Sequence, residues 1–196
     1  MKKICVFCGS SMGFDPVYRL NALKLADYLI AHDLTLIYGG ANVGLMKILA
    51  DHMMDHDKQV IGVMPHHLIE KEVAHQSITK LIPVESMAER KELLISLSDA
   101  FIALPGGFGT LDEVAEVLVL DQLHIVEKPM GLLNVNGYFD HLISYFDLGV
   151  KEGFIRQEHL NNLMVSKHVD ELMEKLSLYK PVGMGKWIQD IKLESK

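Results

Sequence analysis

The chain has 196 residues, 49% of them apolar and 23% charged, and carries a net charge of −7 with histidine counted as neutral. That length suits one α/β domain with a real core, and the composition is that of an ordinary soluble protein. The acidic balance speaks against wholesale binding to nucleic acid or to an anionic membrane, yet leaves room for a local basic pocket that takes a small anion.

Met1-Lys2-Lys3 leads into only five apolar residues before Gly9. That is too short for a secretory leader, and no apolar run approaches the span of a bilayer. An apolar strand is expected over residues 3–8, ending in Gly9-Ser10-Ser11. Cys5 and Cys8 lie three apart within it and so point to opposite faces, whereas a redox C-x-x-C pair starts a helix. Buried, reduced thiols and a cytoplasmic location are the expectation.

Asp15 caps the next helix, with Pro16 at its first position. Leu20, Leu23, Ala26, Tyr28 and Leu29 form its expected buried face, and it ends near His32. A second strand over 34–38 closes on Gly39-Gly40. A helix beginning near Val43-Gly44 carries Leu45, Ile48, Leu49 and Met53. The third strand, 59–64, stops at Pro65. Residues 65–77, the least regular stretch, hold His66, His67, Glu70, Glu72 and His75.

A fourth strand over 78–84 precedes Ser86-Met87-Ala88-Glu89, a capping box that opens a helix through Leu97. The strand at 100–104 runs into Pro105-Gly106-Gly107-Phe108-Gly109-Thr110 and a helix to about His124. A strand at 130–135, a helix at 138–150, a short strand at 163–165 and a helix at 169–178 complete the domain. Residues 1–180 thus form one domain, and 181–196, with Trp187, read as a tail.

Nearly all-apolar strands alternating with helices indicate a parallel sheet covered on both faces, a single Rossmann-like α/β domain. Ligands in such sheets sit beyond the carboxyl ends of the strands. Gly9-Ser10-Ser11, Gly39-Gly40 and Gly106-Gly107 should therefore share one edge. Glycines at 106, 107 and 109 let a backbone pass close to a guest, and the amides and dipole of the following helix start favour an anion. A phosphate or sugar phosphate is the natural ligand; the G-x-G-x-x-G dinucleotide spacing is absent. The alternative is a plain turn in which Thr110 to Glu113 forms a capping box and Glu113 merely satisfies a backbone amide.

Arg90 and Lys91 stand near a helix start, against the macrodipole. Either Glu89 and Glu92 offset them on a solvated face, or Arg90 meets a phosphate or a catalytic carboxylate. His52 and His56 are one helical turn apart but lack a third ligand and an H-E-x-x-H string, so no metal is expected. His66-His67 reads as a surface pair. Ser10 and Ser11 lie outside any G-x-S-x-G elbow and suit hydrogen bonding to a ligand better than attack. The methionines read as core filler.

Taken together, these strings resemble the LOG ("Lonely Guy") family of cytokinin riboside 5′-monophosphate phosphoribohydrolases, also called lysine decarboxylase-like. The resemblance rests on Cys8-Gly9-Ser10-Ser11, Tyr38-Gly39-Gly40 with Val43-Gly44-Leu45-Met46, Val60-Ile61-Gly62-Val63-Met64-Pro65, and Met87 with Glu89-Arg90-Lys91. It continues through Ser98-Asp99-Ala100, Pro105-Gly106-Gly107-Phe108-Gly109-Thr110 and Glu113, then Lys128-Pro129 and Gly131-Leu132-Leu133-Asn134.

The resemblance implies hydrolysis of the N-glycosidic bond of an AMP-like nucleoside 5′-monophosphate, N6-substituted ones included, to free base and ribose 5-phosphate. It implies that Arg90 and Glu113 are the catalytic pair and that Gly107, Phe108, Gly109 and Thr110 hold the phosphate. Gly9, Ser10, Ser11, Gly39, Gly40, Glu72, Met87, Lys91 and Gly106 are the further substrate contacts expected. It implies a homodimer, with no cofactor. Departures fall at Val119, where a threonine is usual, at Leu120 for a tryptophan, at Lys47 for a glycine, and at Asp112 for a glutamate.

Such a reaction passes through an oxocarbenium-like transition state that a carboxylate can stabilise. As an anion at a helix start, Glu113 is expected to have a depressed pKa, which suits a stabiliser or nucleophile. Arg90 hardly releases its proton and is a poor general acid, which leaves the group that protonates the departing base open. Two other readings compete: a non-catalytic nucleotide or cofactor carrier, and lysine decarboxylation through a pyridoxal Schiff base, for which no motif is visible.

Overall fold

The computed structural model describes residues 1–71 and 73–181. Glu72 and the tail with Trp187 lie outside the described residues. Strands β1 (Lys3–Phe7), β2 (Thr35–Tyr38), β3 (Val60–Pro65), β4 (Lys80–Val84), β5 (Ala100–Ala103), β6 (Met130–Leu133) and β7 (Leu163–Ser166) form one sheet in the order β4-β3-β2-β1-β5-β6-β7. Every neighbouring pair is parallel. The chain winds outward from β1 to β4, then returns to place β5 on β1's other side, so the sheet reverses between β1 and β5.

Alternation along β1 divides the core. Ile4 and Val6 enter one apolar cluster, while Cys5 and Phe7 enter the other, as the period of two in a strand requires. The first cluster is covered by α1 (Pro16–Ala31), α2 (Gly44–Met54) and α8 (Val169–Ser177). The second lies under α4 (Met87–Leu97), α5 (Phe108–Gln122) and α6 (Asp140–Lys151). Both cysteines are free and buried, and burial pushes both thiols well above their ordinary range.

The local signals hold with small shifts. Asp15 accepts the Val17 amide at 2.9 Å and starts α1. The buried stripe of that helix is Ala22, Leu25, Ala26 and Leu29, and Leu20 is 50% exposed rather than buried. Five residues before Leu25, Leu20 stands about 140° away around the helix. The Ser86 hydroxyl accepts the Glu89 amide, but the Glu89 carboxylate reaches back to the Glu85 amide, one residue earlier than a standard box.

β6 ends at Leu133 rather than 135. There the Asn134 side chain accepts the Phe139 amide at 2.8 Å and donates to Asp140 at 2.7 Å, bending the chain into a 3-10 turn before α6. Two short helices carry no periodic signal: α3 (His66–Ile69) within the irregular stretch, and α7 (Gln157–Leu160) before β7. Among the described residues no helix is long and apolar enough to cross a membrane.

Candidate active site

The sheet reversal leaves a crevice beyond the carboxyl ends of β1, β2 and β5, where open α/β sheets bind ligands. A cavity of about 240 Å³ opens there, lined by Gly9 and Ser10 after β1, Gly39 after β2, and Gly107, Phe108, Gly109 and Thr110 at the start of α5. Arg90, Glu113 and Met46 are also in its wall, over a floor that includes the end of β1. The three glycine-ended strands thus meet at one edge, as expected.

The glycine turn is tight for a steric reason. Gly9 donates to the Pro105 carbonyl at 3.1 Å, which brings the β1 and β5 loops together. At Gly106 the backbone is pressed against Thr110 and the Gly9 amide. Gly107, by contrast, faces open space and is the N-cap of α5, with no side chain capping the helix.

The capping-box reading of Thr110 to Glu113 therefore fails. The Leu111 amide already bonds to the Gly107 carbonyl at 3.1 Å, so the cap is Gly107, three residues before Thr110. The first turn of α5 lines the cavity with no side chain capping it, and free amides at a helix start favour an anion.

Glu113 satisfies a side chain instead. Arg90 Nη1 donates to Glu113 Oε1 at 2.8 Å, and Arg90 Nε donates to the Val63 carbonyl at 3.1 Å. Both side chains are nearly buried, at 11% and 10% exposure. The solvated-face reading of Arg90 is thereby excluded. Burial pushes the Glu113 carboxyl above the ordinary carboxylate range, against the opposing pull of Arg90. The expected depression is not found: Glu113 lies beyond the first turn of α5, where the dipole has faded, and desolvation dominates.

The remaining expected contacts are less uniform. Ser11 and Gly106 line an adjoining cavity of about 250 Å³ with Met12, Tyr18 and Tyr138. Gly40 turns away in the left-handed region, at φ 79°, and packs on Val63, Met64 and Leu81. Met87 is exposed and lies outside the cavity wall. So does Lys91, whose ammonium pairs with Glu116 at 2.9 Å and Asp112 at 3.1 Å; their hydrogen bonds hold its pKa up.

Three participants lay outside the sequence-derived set. Met46 lines the cavity and sits in a string already singled out. The Val63 carbonyl and Tyr138, whose hydroxyl donates to the Gly106 carbonyl at 2.7 Å, had no local signal. Away from the crevice, His52 pairs with Asp27, and His66 lies 3.6 Å from Glu85. Among the described residues no group of three or more His, Cys, Asp or Glu side chains is arranged to hold a metal.

The sequence model of the family described as "Possible lysine decarboxylase" matches residues 46–176. Cytokinin riboside 5′-monophosphate phosphoribohydrolase LOG5 of Arabidopsis thaliana is 41% identical over 184 residues, spanning 94% of this chain and 81% of the relative. LOG1 of the same plant is 41% identical over 180 residues, spanning 92% and 84%. Among solved structures, the molybdenum cofactor binding protein of Rippkaea orientalis matches with a TM-score of 0.67 at 21% identity, over 91% of this chain and 97% of that one. The Moco carrier protein of Chlamydomonas reinhardtii matches with a TM-score of 0.66 at 19% identity, over 90% and 96%. These last two are likenesses of fold. The family match and the plant relatives carry more, and by them the chain belongs to the LOG family of cytokinin riboside 5′-monophosphate phosphoribohydrolases.

Proposed function

We propose that this protein hydrolyses the N-glycosidic bond of nucleoside 5′-monophosphates, AMP or its N6-substituted cytokinin counterparts, to free base and ribose 5-phosphate. The observation that carries this reading is the nearly buried Arg90–Glu113 pair, one helical turn from the open amides of α5. The phosphate sits on the α5 amides and the Thr110 hydroxyl. This places the ribose between that cradle and Glu113. As the bond from the anomeric carbon to the base nitrogen breaks, positive charge grows on the ring, and the Glu113 carboxylate stabilises it. Water supplies a hydroxyl to that carbon, and its other hydrogen balances the proton that the base nitrogen gains as it leaves. Arg90 keeps Glu113 ionised and pointed, since its guanidinium is fixed at two of its nitrogens.

A pyridoxal-dependent decarboxylase fits this cavity poorly. A Schiff base needs a lysine, and among the described residues the cavity wall contains none. A non-catalytic carrier has no evident use for a buried carboxylate–arginine pair.

We further propose a homodimer in the cytoplasm. Leu111 and Val119 on α5, Leu123 at its C-cap, and Tyr145 and Leu148 on α6 are exposed apolar side chains, the kind of surface a second copy covers. The free, buried thiols suit a reducing compartment.

The test is release of free base from AMP and from isopentenyl-AMP by the purified protein, with sedimentation to give its mass. Release from either nucleotide supports the hydrolase. Tight binding of both with no base released would make it a carrier, and a monomer in sedimentation would remove the dimer.

A further inference from the structure

Behind the crevice, a polar chain that runs from a buried histidine to the surface joins α2 to the segment after α3. His75 is only 5% exposed, yet both ring nitrogens are engaged. Nδ1 accepts the Ser77 amide at 3.2 Å, and Nε2 lies 2.8 Å from Asp51 Oδ1. The Ser77 contact assigns the tautomer: an accepting Nδ1 carries no hydrogen, so Nε2 carries the proton and donates to Asp51. The second Asp51 oxygen takes Lys47 Nζ at 2.7 Å. Burial alone would raise the Asp51 carboxyl, but the hydrogen bonds from Lys47 and His75 outweigh it and hold the pKa below the usual range.

The backbone of the same segment lies along the glycine turn after β2. The His75 amide donates to the Gly40 carbonyl at 2.9 Å, Ala74 bridges Ala41, and the Asn42 amide donates to the Val73 carbonyl at 2.8 Å. One residue before Gly40, Gly39 presses directly on the Arg90 guanidinium. An apolar side chain would fill the His75 site without the cost of burying two polar nitrogens. What the imidazole adds is direction, a donor on one side and an acceptor on the other, which locks the segment in a single register.

Resting on the reading of Arg90 and Glu113 as the hydrolytic pair, we propose that His75, oriented by Asp51, is a positioning residue that clamps residues 73–77 onto the Gly39-Gly40 turn and so fixes the wall against which Arg90 is braced. His75 itself touches no substrate. Its effect is on how firmly the guanidinium holds Glu113 in the transition state, so it acts on kcat more than on KM.

The test compares His75→Phe, which keeps a ring of similar volume but no nitrogens, with His75→Gln, whose amide can reach Asp51. Two readouts are taken: steady-state base release, and solvent exchange of the Arg90 Nε–H proton, which the Val63 carbonyl protects. In His75→Phe, kcat should fall by about 10- to 100-fold with KM little changed, and the Nε–H should exchange faster. His75→Gln should recover most of both. Asp51→Ala, on a half-exposed side chain, is the second probe should the His75 variants not fold, and it too should speed the exchange. Wild-type exchange and wild-type kcat in these variants would overturn the proposal. A wild-type protein that releases no base sinks the hydrolase reading alone, because the exchange measurement decides the clamp without turnover.

Discussion

A Cβ added at Gly39 would stand 2.1 Å from Nη2 of Arg90, although the two residues come from different layers of the fold. The obstructed atom is the far end of a flexible side chain, so Gly39→Ala can fold. The guanidinium, however, is already committed to Glu113 and to the Val63 carbonyl, and any shift breaks one of those bonds. Gly39→Ala should lose about 1–3 kcal/mol, since the methyl overpacks the site and takes from Arg90 one of its nearly buried partners. Its kcat should fall roughly 100-fold through misplacement of the proposed catalytic pair. Thermal melts beside base-release kinetics check this; wild-type kcat would show that Arg90 need not be fixed.

The two glycines of the phosphate turn should part company. A methyl on Gly106 would lie 2.1 Å from Thr110 Oγ1 and 2.8 Å from the Gly9 amide, so Gly106→Ala must push two loops apart. Overpacking of this kind destabilises by about 1–3 kcal/mol. At Gly107 no atom lies within 4 Å of the new methyl. Gly107→Ala changes only an N-cap, worth about 1 kcal/mol at most. Any large loss of nucleotide affinity in that variant then reports on a phosphate that needs the space. Denaturant melts and titration with ribose 5-phosphate separate the two effects, and unchanged affinity in Gly107→Ala would move the phosphate elsewhere.

The acid limb of the activity profile follows from the direction of the Glu113 shift. The proposed reaction uses the Glu113 carboxylate, and burial raises the pH at which it forms. The rise of kcat/KM with pH should therefore have its midpoint above about 4.3, the value of an unperturbed glutamate. Glu113→Gln, which keeps an oxygen for Arg90 but no charge, should bind nucleotide and release no base at any pH. A limb at or below the ordinary value would mean that Arg90 outweighs burial.

Much of this site is legible in the sequence, for reasons that also mark where legibility stops. The strand ends are punctuated by glycine and proline, so the shared edge of Gly9, Gly39 and Gly107 follows from apolar runs and their stops. The Asp15 and Ser86 caps are local and were readable. The pairing of Arg90 with Glu113 joins the helices that precede and follow β5 in the chain, and only their packing on one face of the sheet brings them together. Spacing alone fits Glu113 to a cap as well as to a catalytic role. The sign of its pKa shift depends on desolvation, which belongs to the packed molecule and not to the helix start that sequence can see. Leu20 was misplaced because a hydrophobic stripe fixes its phase only when the helix meets its neighbours. His75 sat in a stretch with no periodic signal, and its partner Asp51 lies on another element.

His159 predicts a second acid effect, this time on stability. It lies on α7 at 7% exposure, and among the described residues neither ring nitrogen has a hydrogen-bond partner. Burial pushes its pKa below the ordinary histidine value; Glu158 and Asp121 pull it up, while His124 and Arg156 push it further down. The unfolded chain thus binds a proton at about pH 6.5, the unperturbed value, where the folded chain does not. Stability rises with pH wherever the unfolded state holds more protons. The contribution of His159 is therefore complete above about pH 6.5 and is lost as the pH falls through the lower folded value. The carboxylates held below their usual range, Asp51 and Asp99, act in a separate and more acid window. Replacing His159 with Leu removes the titrating ring and keeps an apolar filling. The melting temperature of the wild type should drop between about pH 7 and about pH 5.5, and that of His159→Leu should drop less. Parallel melting curves for the two proteins across this interval would show that the ring is hydrated, and that its burial has no bearing on acid stability.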